Sequence, residues 1–159
     1  MTDELEIRTC GVDHVGLSVH DLESTRRFFC DCLGWRVVGE RPDYPAVFVS
    51  DGHGVVTIWQ VESPGTAIRF DRRTNVGLHH LAITVVDQPS LDALCQRVSA
   101  WPGVVLEFRP QLVGVGPKKH FMVREPSGVR IEFAFDPRQQ ISSRGRIGSP
   151  NPPPVQTAR

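Results

Sequence analysis

The chain has 159 residues, which is enough for one folded domain of ordinary size. Eighteen basic and eighteen acidic residues cancel, so the basic excess of a nucleic-acid-binding protein is absent, and no run of about 18 apolar residues predicts a membrane span. The opening residues, MTDELEIRTC, are polar and do not resemble a secretion signal, so we expect a cytoplasmic protein.

The first half of the chain predicts one strand, one helix and three further strands. Residues 12–19 alternate between bulky apolar and smaller or polar side chains, as a strand does. Asp21 is a suitable N-cap for a helix whose apolar face runs to Leu33, and Gly34 ends it. Three more segments predict strands separated by proline and glycine: residues 35–39, 46–50 and 55–61.

The second half predicts the same order. Residues 78–86 form a strand pattern, and Pro89 suits the first turn of a helix. Apolar residues at helical spacing follow: Leu91, Leu94, Cys95 and Val98. The remaining strands are predicted at residues 104–108, 120–123 and 129–135. The order βαβββ therefore occurs twice, and the predicted fold class is α+β.

An internal repeat supports this division. The segment HVGLSVHDLES, which begins at His14, matches HLAITVVDQPS, which begins at His80, at an offset of 66. The same offset aligns Asp21 with Asp87, Ser24 with Ser90 and Trp35 with Trp101. We therefore predict a single domain over residues 1–137, with one module at about 11–62 and a second at about 77–136.

The C-terminal tail and the cysteines lead to two further expectations. Residues 138–159 are rich in Pro, Ser, Gly and Arg and predict a disordered tail, with a segment that wraps a partner subunit as the alternative. The cysteines are expected to be free thiols in a reducing compartment. Cys30 and Cys32 fall on different faces of the predicted helix, which argues against a thiolate metal site.

Strand alternation predicts that a histidine heads a row of small residues in each module. On one face of the first strand lie His14, Gly16 and Ser18, and on the matching strand lie His80, Ala82 and Thr84. The opposite faces are bulky and apolar. Such a small-residue row is typical of a cavity wall against which a ligand fits. His79 alternates to the other face, and we interpret it as structural.

Glu132 lies in the middle of the apolar strand GVRIEFAF. A carboxylate in such a place is costly unless it is paired or coordinated. Two histidines and one carboxylate are a common donor set for Fe(II), and the set also suits Zn, Ni, Co or Mn. We therefore predict that His14, His80 and Glu132 hold a divalent metal.

A second group precedes the last strand. Lys118, His120 and Met122 alternate, so His120 is expected on the same side as Met122. The ordinary pKa of histidine lies near neutrality, which makes His120 a candidate general base beside the metal. Lys118 could bind a substrate carboxylate at the rim, and a plain surface position is the alternative for both residues.

Three segments together resemble the vicinal oxygen chelate superfamily: DHVGLSVHDLESTRRFFCDCLGW, GLHHLAITVVD and EPSGVRIEFAF. This superfamily includes glyoxalase I, methylmalonyl-CoA epimerase, extradiol dioxygenases, and the fosfomycin and bleomycin resistance proteins. The resemblance, over about residues 11–136, implies two βαβββ modules that form an open, cup-shaped mixed β-sheet barrel with flanking helices. It also implies His14, His80 and Glu132 as ligands, and a substrate that offers adjacent oxygens to the metal.

The resemblance suggests a fourth ligand at Gln60. The ending QVESP is similar to the epimerase strand that ends in a ligand glutamine. The internal repeat favours a different alignment, because matching Gly54 to Gly128 places Ile58 opposite Glu132. Both alternatives therefore stay open.

The same resemblance favours a lyase or isomerase of the glyoxalase or epimerase kind. Extradiol dioxygenases commonly carry a tyrosine where this chain has Met122, which weakens a dioxygenase prediction. A ligand-sequestering protein of the bleomycin-resistance kind is the non-catalytic alternative, since one fold serves both. We also expect a homodimer, because an open cup leaves edge strands that need cover.

Overall fold

Within the described residues, 9–139, the computed structural model contains the predicted order of elements twice. The first module comprises β1 (His14–Val19), α1 (Leu22–Arg27), β2 (Arg36–Arg41), β3 (Ala46–Ser50) and β4 (Val55–Gln60). The second comprises β5 (Leu81–Thr84), α2 (Gln88–Ser99), β6 (Val105–Leu112), β7 (Lys119–Arg124) and β8 (Arg130–Phe135). The predicted tail, apart from its first two residues, lies outside the described residues.

Each module folds into its own four-stranded mixed sheet. The strand orders are β1-β4-β3-β2 and β5-β8-β7-β6, and in each sheet the first strand runs parallel to its neighbour while the other pairs are antiparallel. The α+β class and the paired βαβββ modules are therefore confirmed. The described strands form two open sheets and no closed barrel, so β1 and β5 are both edge strands.

The helices begin where the repeat predicts. Asp21 caps α1 by accepting a hydrogen bond from the backbone of Ser24 at 2.9 Å, and Asp87 caps α2 in the same way through Ser90 at 2.7 Å. The predicted first helix runs to Leu33, but α1 ends at Arg27 and continues as a π-helical turn over Phe28–Cys32. This wider turn buries both Phe28 and Phe29 completely.

Two strands differ from their predicted bounds in ways that affect the site. The predicted strand 78–86 is shorter in the structure, because residues 77–80 are irregular and β5 begins only at Leu81. The predicted strand 104–108 is longer, since β6 continues past Pro110 to Leu112 with two shifts of register against β7. Such bulges let an edge strand keep pairing past a proline.

One hydrophobic core extends through both modules and includes Leu17, Phe29, Leu91 and Phe133. A buried hydrogen bond also joins the modules, in which the hydroxyl of Thr25 donates to Glu125 Oε2 at 2.8 Å. Burial raises the pKa of the Glu125 carboxyl, although hydrogen bonds from the backbone and Thr25 partly oppose this. No helix among residues 9–139 has the length and apolar character needed to cross a membrane.

Candidate catalytic site in the second module

The carboxylate of Glu132 lies at the centre of a cluster on one face of the second sheet. His80 Nε2 is 3.0 Å from Glu132 Oε2, and His120 Nδ1 is 3.0 Å from Glu132 Oε1. Glu132 is buried on β8, where it pairs with Ala82 of β5 and Met122 of β7. The small side chain of Ala82 leaves space beside the carboxylate. Each carboxylate oxygen therefore faces a different histidine.

The charge of Glu132 is stabilised by its surroundings. Burial of the carboxyl group opposes ionisation, but the hydrogen bond from His120 and the positive charge of Lys118 outweigh it, so the pKa of Glu132 is lowered. The Lys118 ammonium lies 3.6 Å from Glu132 Oε1. Phe108 covers the other side of His120, with ring centroids 4.9 Å apart. Glu132 is thus an ionised carboxylate at neutral pH.

His79 orients His80, although strand alternation predicts that the two rings point apart. The Nδ1 atoms of the two rings are 2.7 Å apart. The alternation rule does not apply here because both residues precede β5. Desolvation, together with the charges of Arg130 and His80, lowers the pKa of His79, so its ring is neutral. The side chain that supports His80 was therefore missed because the strand starts late.

The proton positions of this pair follow from Arg130. Its Nη1 atom lies 3.3 Å from His79 Nδ1, and a guanidinium can only donate, so His79 Nδ1 is an acceptor. Nδ1 of His80 must then donate to it. The remaining nitrogen, Nε2, faces an ionised carboxylate at 3.0 Å. A metal ion held by both atoms would lie between them.

His14 is not part of this cluster within the chain. Its Nδ1 atom lies 2.7 Å from Asp13 Oδ2, and its side chain is about half exposed. It lines a cavity of about 610 Å³ together with residues along the whole of β5, including Leu81 and Ala82. Neither His80 nor Glu132 lines that cavity. The sequence thus identifies His14 by repeat position, but within residues 9–139 His14, His80 and Glu132 do not form a group arranged to hold a metal.

The side-chain amide of Gln60 forms hydrogen bonds with the backbone of the first module. Its Oε1 atom accepts a hydrogen bond from Leu22 N at 2.8 Å, and its Nε2 atom donates to the carbonyl of His20 at 3.1 Å. Alternation along β4 also places Gln60 on the face of the fully buried Ile58. These contacts hold the start of α1 and favour a structural role over the predicted ligand role.

The structural register corrects the alignment of the two modules. Gly16 of β1 pairs with Thr57, as the equivalent Ala82 of β5 pairs with Glu132. Thr57, and not Ile58, therefore occupies the position equivalent to Glu132. Matching the two glycines failed because the turns before β4 and β8 differ by one residue. Because residue 57 is a threonine, the first module carries a hydroxyl and no carboxylate at this position. The hydroxyl of Thr57 accepts a hydrogen bond from Trp59 Nε1 at 2.9 Å.

The donors present fit a divalent ion only in part. Two ligand atoms on one Zn²⁺-like ion lie roughly 3.0–3.4 Å apart for metal–ligand bonds of about 2.1 Å. The 3.0 Å separation of His80 Nε2 and Glu132 Oε2 agrees with this. However, residues 9–139 contain no group of three or more His, Cys, Asp or Glu side chains arranged to hold a metal. His80 and Glu132 are therefore suitable as a pair of ligands that needs a further donor.

Residues 11–133 match the model of the Glyoxalase/Bleomycin resistance protein/Dioxygenase superfamily. A curated relative, the catechol-2,3-dioxygenase of Bacillus subtilis (strain 168), is 28% identical over 130 residues, which are 78% of this chain and 41% of the relative. The chain thus spans about two fifths of the length of that relative.

Solved structures share the fold. The glyoxylase/bleomycin resistance protein/dioxygenase domain from Frankia sp. EAN1pec has a TM-score of 0.70 and 23% identity, covering 84% of this chain and 96% of that one. The glyoxalase-related enzyme from Fulvimarina pelagi has a TM-score of 0.67 and 25% identity, covering 85% of this chain and 94% of that one. In both comparisons the match covers nearly the full length of the solved structure.

Proposed function

Because the chain belongs to the Glyoxalase/Bleomycin resistance protein/Dioxygenase superfamily, we propose that it is a metal-dependent lyase or isomerase that acts on a small molecule with two adjacent oxygens. One observation carries this proposal: the buried carboxylate of Glu132 directs one oxygen to His80 and the other to His120. Such an arrangement can serve a metal ion and a general base at the same time. Members of the superfamily commonly use divalent metals, which agrees with it.

His80 and Glu132 would hold the ion, which by donor type is Zn, Ni, Co, Mn or Fe. When bound, the ion supplies a positive charge that stabilises the negative charge developing on the substrate oxygens. His79 orients the His80 ring, as the second ring nitrogen of a ligand histidine usually requires.

His120 would move the proton. Glu132 holds its Nδ1 atom, and no residue within 9–139 forms a hydrogen bond with its Nε2 atom. A histidine fixed in this way can accept a proton from a substrate carbon through Nε2, while Glu132 stabilises the resulting imidazolium. The same nitrogen can return the proton, as an isomerase requires.

A second copy of the chain would supply the missing donor. His14 lies on the edge strand β1, half exposed, and within residues 9–139 it does not join His80 and Glu132 in a group arranged to hold a metal. In a two-fold symmetric dimer, each chain can offer its His14 to the cluster of the other. We therefore propose a homodimer with two centres, each built from both chains.

Complementation between two inactive variants tests this arrangement. His14→Ala and Glu132→Gln chains, co-expressed with different tags, should each fail to retain metal as homodimers. The purified mixed dimer should regain one centre of its two, because one intact His14 then meets one intact Glu132. A mixed dimer that stays metal-free would overturn the shared centre, whereas metal in the His14→Ala homodimer would show that His14 is not a ligand.

Measurements of metal content and activity distinguish a metal-dependent enzyme from a ligand-binding protein. The wild-type protein should bind about one ion per chain, and activity should depend on it. A protein that binds no added Zn, Ni, Co, Mn or Fe would instead be a ligand-binding member of the superfamily.

The relative named as a catechol-2,3-dioxygenase favours ring cleavage as a second candidate. Oxygen uptake with catechol and Fe(II) would support it, although Met122 pairs with Glu132 at the predicted tyrosine position.

A further inference from the structure

We infer that the substrate of this site is a small carboxylate whose anionic group binds to Lys118. The inference rests on the proposed function and names the substrate class of the same centre. The Lys118 side chain is about one third exposed, and its Nζ atom lies 3.6 Å from Glu132 Oε1, which is too long for a hydrogen bond. The ammonium therefore stands beside the reaction centre in a long ion pair with Glu132, which leaves its hydrogen-bond donors able to reach a ligand.

Nearby carboxylates do not form a hydrogen bond with the Lys118 ammonium. Asp136 is held by the guanidinium of Arg138 at 2.9 and 2.7 Å, and this contact lowers its pKa to about 2. Glu132 directs its oxygens to the two histidines. Within residues 9–139, no carboxylate lies within hydrogen-bond distance of the Lys118 ammonium. A ligand can thus supply the hydrogen bonds that the ion pair with Glu132 does not provide.

The other cations on this face are already paired. Arg130 donates to both oxygens of Glu107 at 2.8–3.1 Å, and Arg124 approaches the same carboxylate at 3.5 Å. Both guanidinium groups are directed at Glu107, and Arg130 also contacts His79, so neither is paired with Glu132. Lys118 is therefore the cation that pairs with Glu132 in the described part of the chain.

A bound metal ion would further favour an anionic ligand beside Lys118. An ion on Glu132 and His80 would place a second positive charge close to Lys118, and like charges at this range repel in a poorly solvated site. A ligand whose negative oxygens lie between the two cations removes that repulsion. A 2-oxo or 2-hydroxy acid meets both needs, since it offers adjacent oxygens to a metal and a carboxylate to the ammonium.

The wall around Lys118 limits the rest of the molecule. Phe108 packs against His120, and Met122 is buried beside Glu132. Both are apolar, so they favour a hydrocarbon substituent and disfavour further charged groups. The expected substrate is thus a short 2-oxo or 2-hydroxy acid with an apolar side chain.

Oxamate and oxamide form a matched pair of probes, because both carry two adjacent carbonyl groups and only oxamate is charged. We would titrate each by calorimetry into wild-type protein, Lys118→Met and Lys119→Met, both loaded with Zn²⁺ and stripped by chelator. Oxamate should bind the wild type, and Lys118→Met should weaken it about tenfold or more, as expected for a charged hydrogen bond. The Lys119→Met control should leave oxamate affinity unchanged, because no contact joins Lys119 to Glu132.

The outcomes separate this inference from the proposed function. Equal oxamate affinity in wild type and Lys118→Met, in both metal states, would overturn the role of Lys118. Oxamide binding as tightly as oxamate would overturn the carboxylate preference. Failure of the protein to take up any of Zn, Ni, Co, Mn and Fe would refute the proposed function instead, and the titrations of metal-free protein would still decide whether Lys118 binds the anion.

Discussion

Thr57 and Glu132 occupy equivalent positions in the two sheets, because Thr57 pairs with Gly16 as Glu132 pairs with Ala82. The repeat is therefore symmetric in its backbone and asymmetric in its chemistry. The Thr57 hydroxyl is used internally by Trp59, whereas the Glu132 carboxylate faces two histidines. Each chain consequently offers one carboxylate centre and not two.

Replacing His120 tests proton transfer. His120→Ala should keep the metal content of the wild type, because His120 contacts the Glu132 oxygen that does not face His80. Turnover should fall by about two orders of magnitude, the low end for loss of a general base. Steady-state kinetics on small 2-oxo and 2-hydroxy acids, together with metal analysis, measure both effects. Unchanged turnover would assign the proton to Glu132 or to water.

Replacing His79 tests whether it orients His80. His79→Ala removes the ring that holds His80 Nδ1 at 2.7 Å, and metal affinity should fall about 10- to 100-fold. Competition against a chelator measures the affinity. His20→Ala is the matched control, since His20 lies outside the cavity that His14 lines and should leave the affinity unchanged. Equal affinities for the two variants would contradict the orienting role.

Gln60→Ala distinguishes a structural glutamine from a ligand. The change leaves Leu22 N and the His20 carbonyl without their partner, so the free energy of unfolding should fall by about 1–2 kcal/mol. Metal affinity should stay at the wild-type value. Urea denaturation and chelator competition test the two statements separately. A loss of metal with unchanged stability would restore Gln60 as a ligand.

Glu125 predicts a specific pH dependence of stability. Its pKa is raised by burial above the ordinary value of 4.5, so the folded chain holds this proton more tightly than the unfolded chain does. The stabilisation is complete below pH 4.5 and decreases as the pH rises through the folded pKa. Glu125→Gln cannot lose a proton, so its unfolding free energy should fall less than that of the wild type between pH 4.5 and pH 8. Parallel pH profiles from urea denaturation would contradict this.

The sequence alone predicted the modules and the strands that bring His80 and Glu132 together, whereas their role as ligands stays a prediction. Hydrophobic alternation and helix caps are local signals, and they located the elements that carry His80 and Glu132. The position of His120 on the face of Glu132 also followed from alternation on adjacent strands, and the structure brings the two side chains together.

Other features depend on information that one sequence does not hold. His79 was misplaced because the late start of β5 cannot be read from an apolar run. Gln60 was assigned from the resemblance of its strand, whereas its contacts depend on where α1 begins in space. Whether His14 joins His80 and Glu132 depends on how the two sheets are arranged, which repeat position does not determine, and within residues 9–139 the three do not form a metal-holding group.

The single core shared by the modules has a consequence for how the chain can be divided. The segment between Gln60 and Leu81 is exposed over almost its whole length, so a break there removes little buried surface. The halves, however, are joined by the core and by the Thr25–Glu125 hydrogen bond. Fragments cut in this segment should therefore remain associated and refold only when mixed, as a split protein does. The repeated βαβββ module is then not a unit that folds independently.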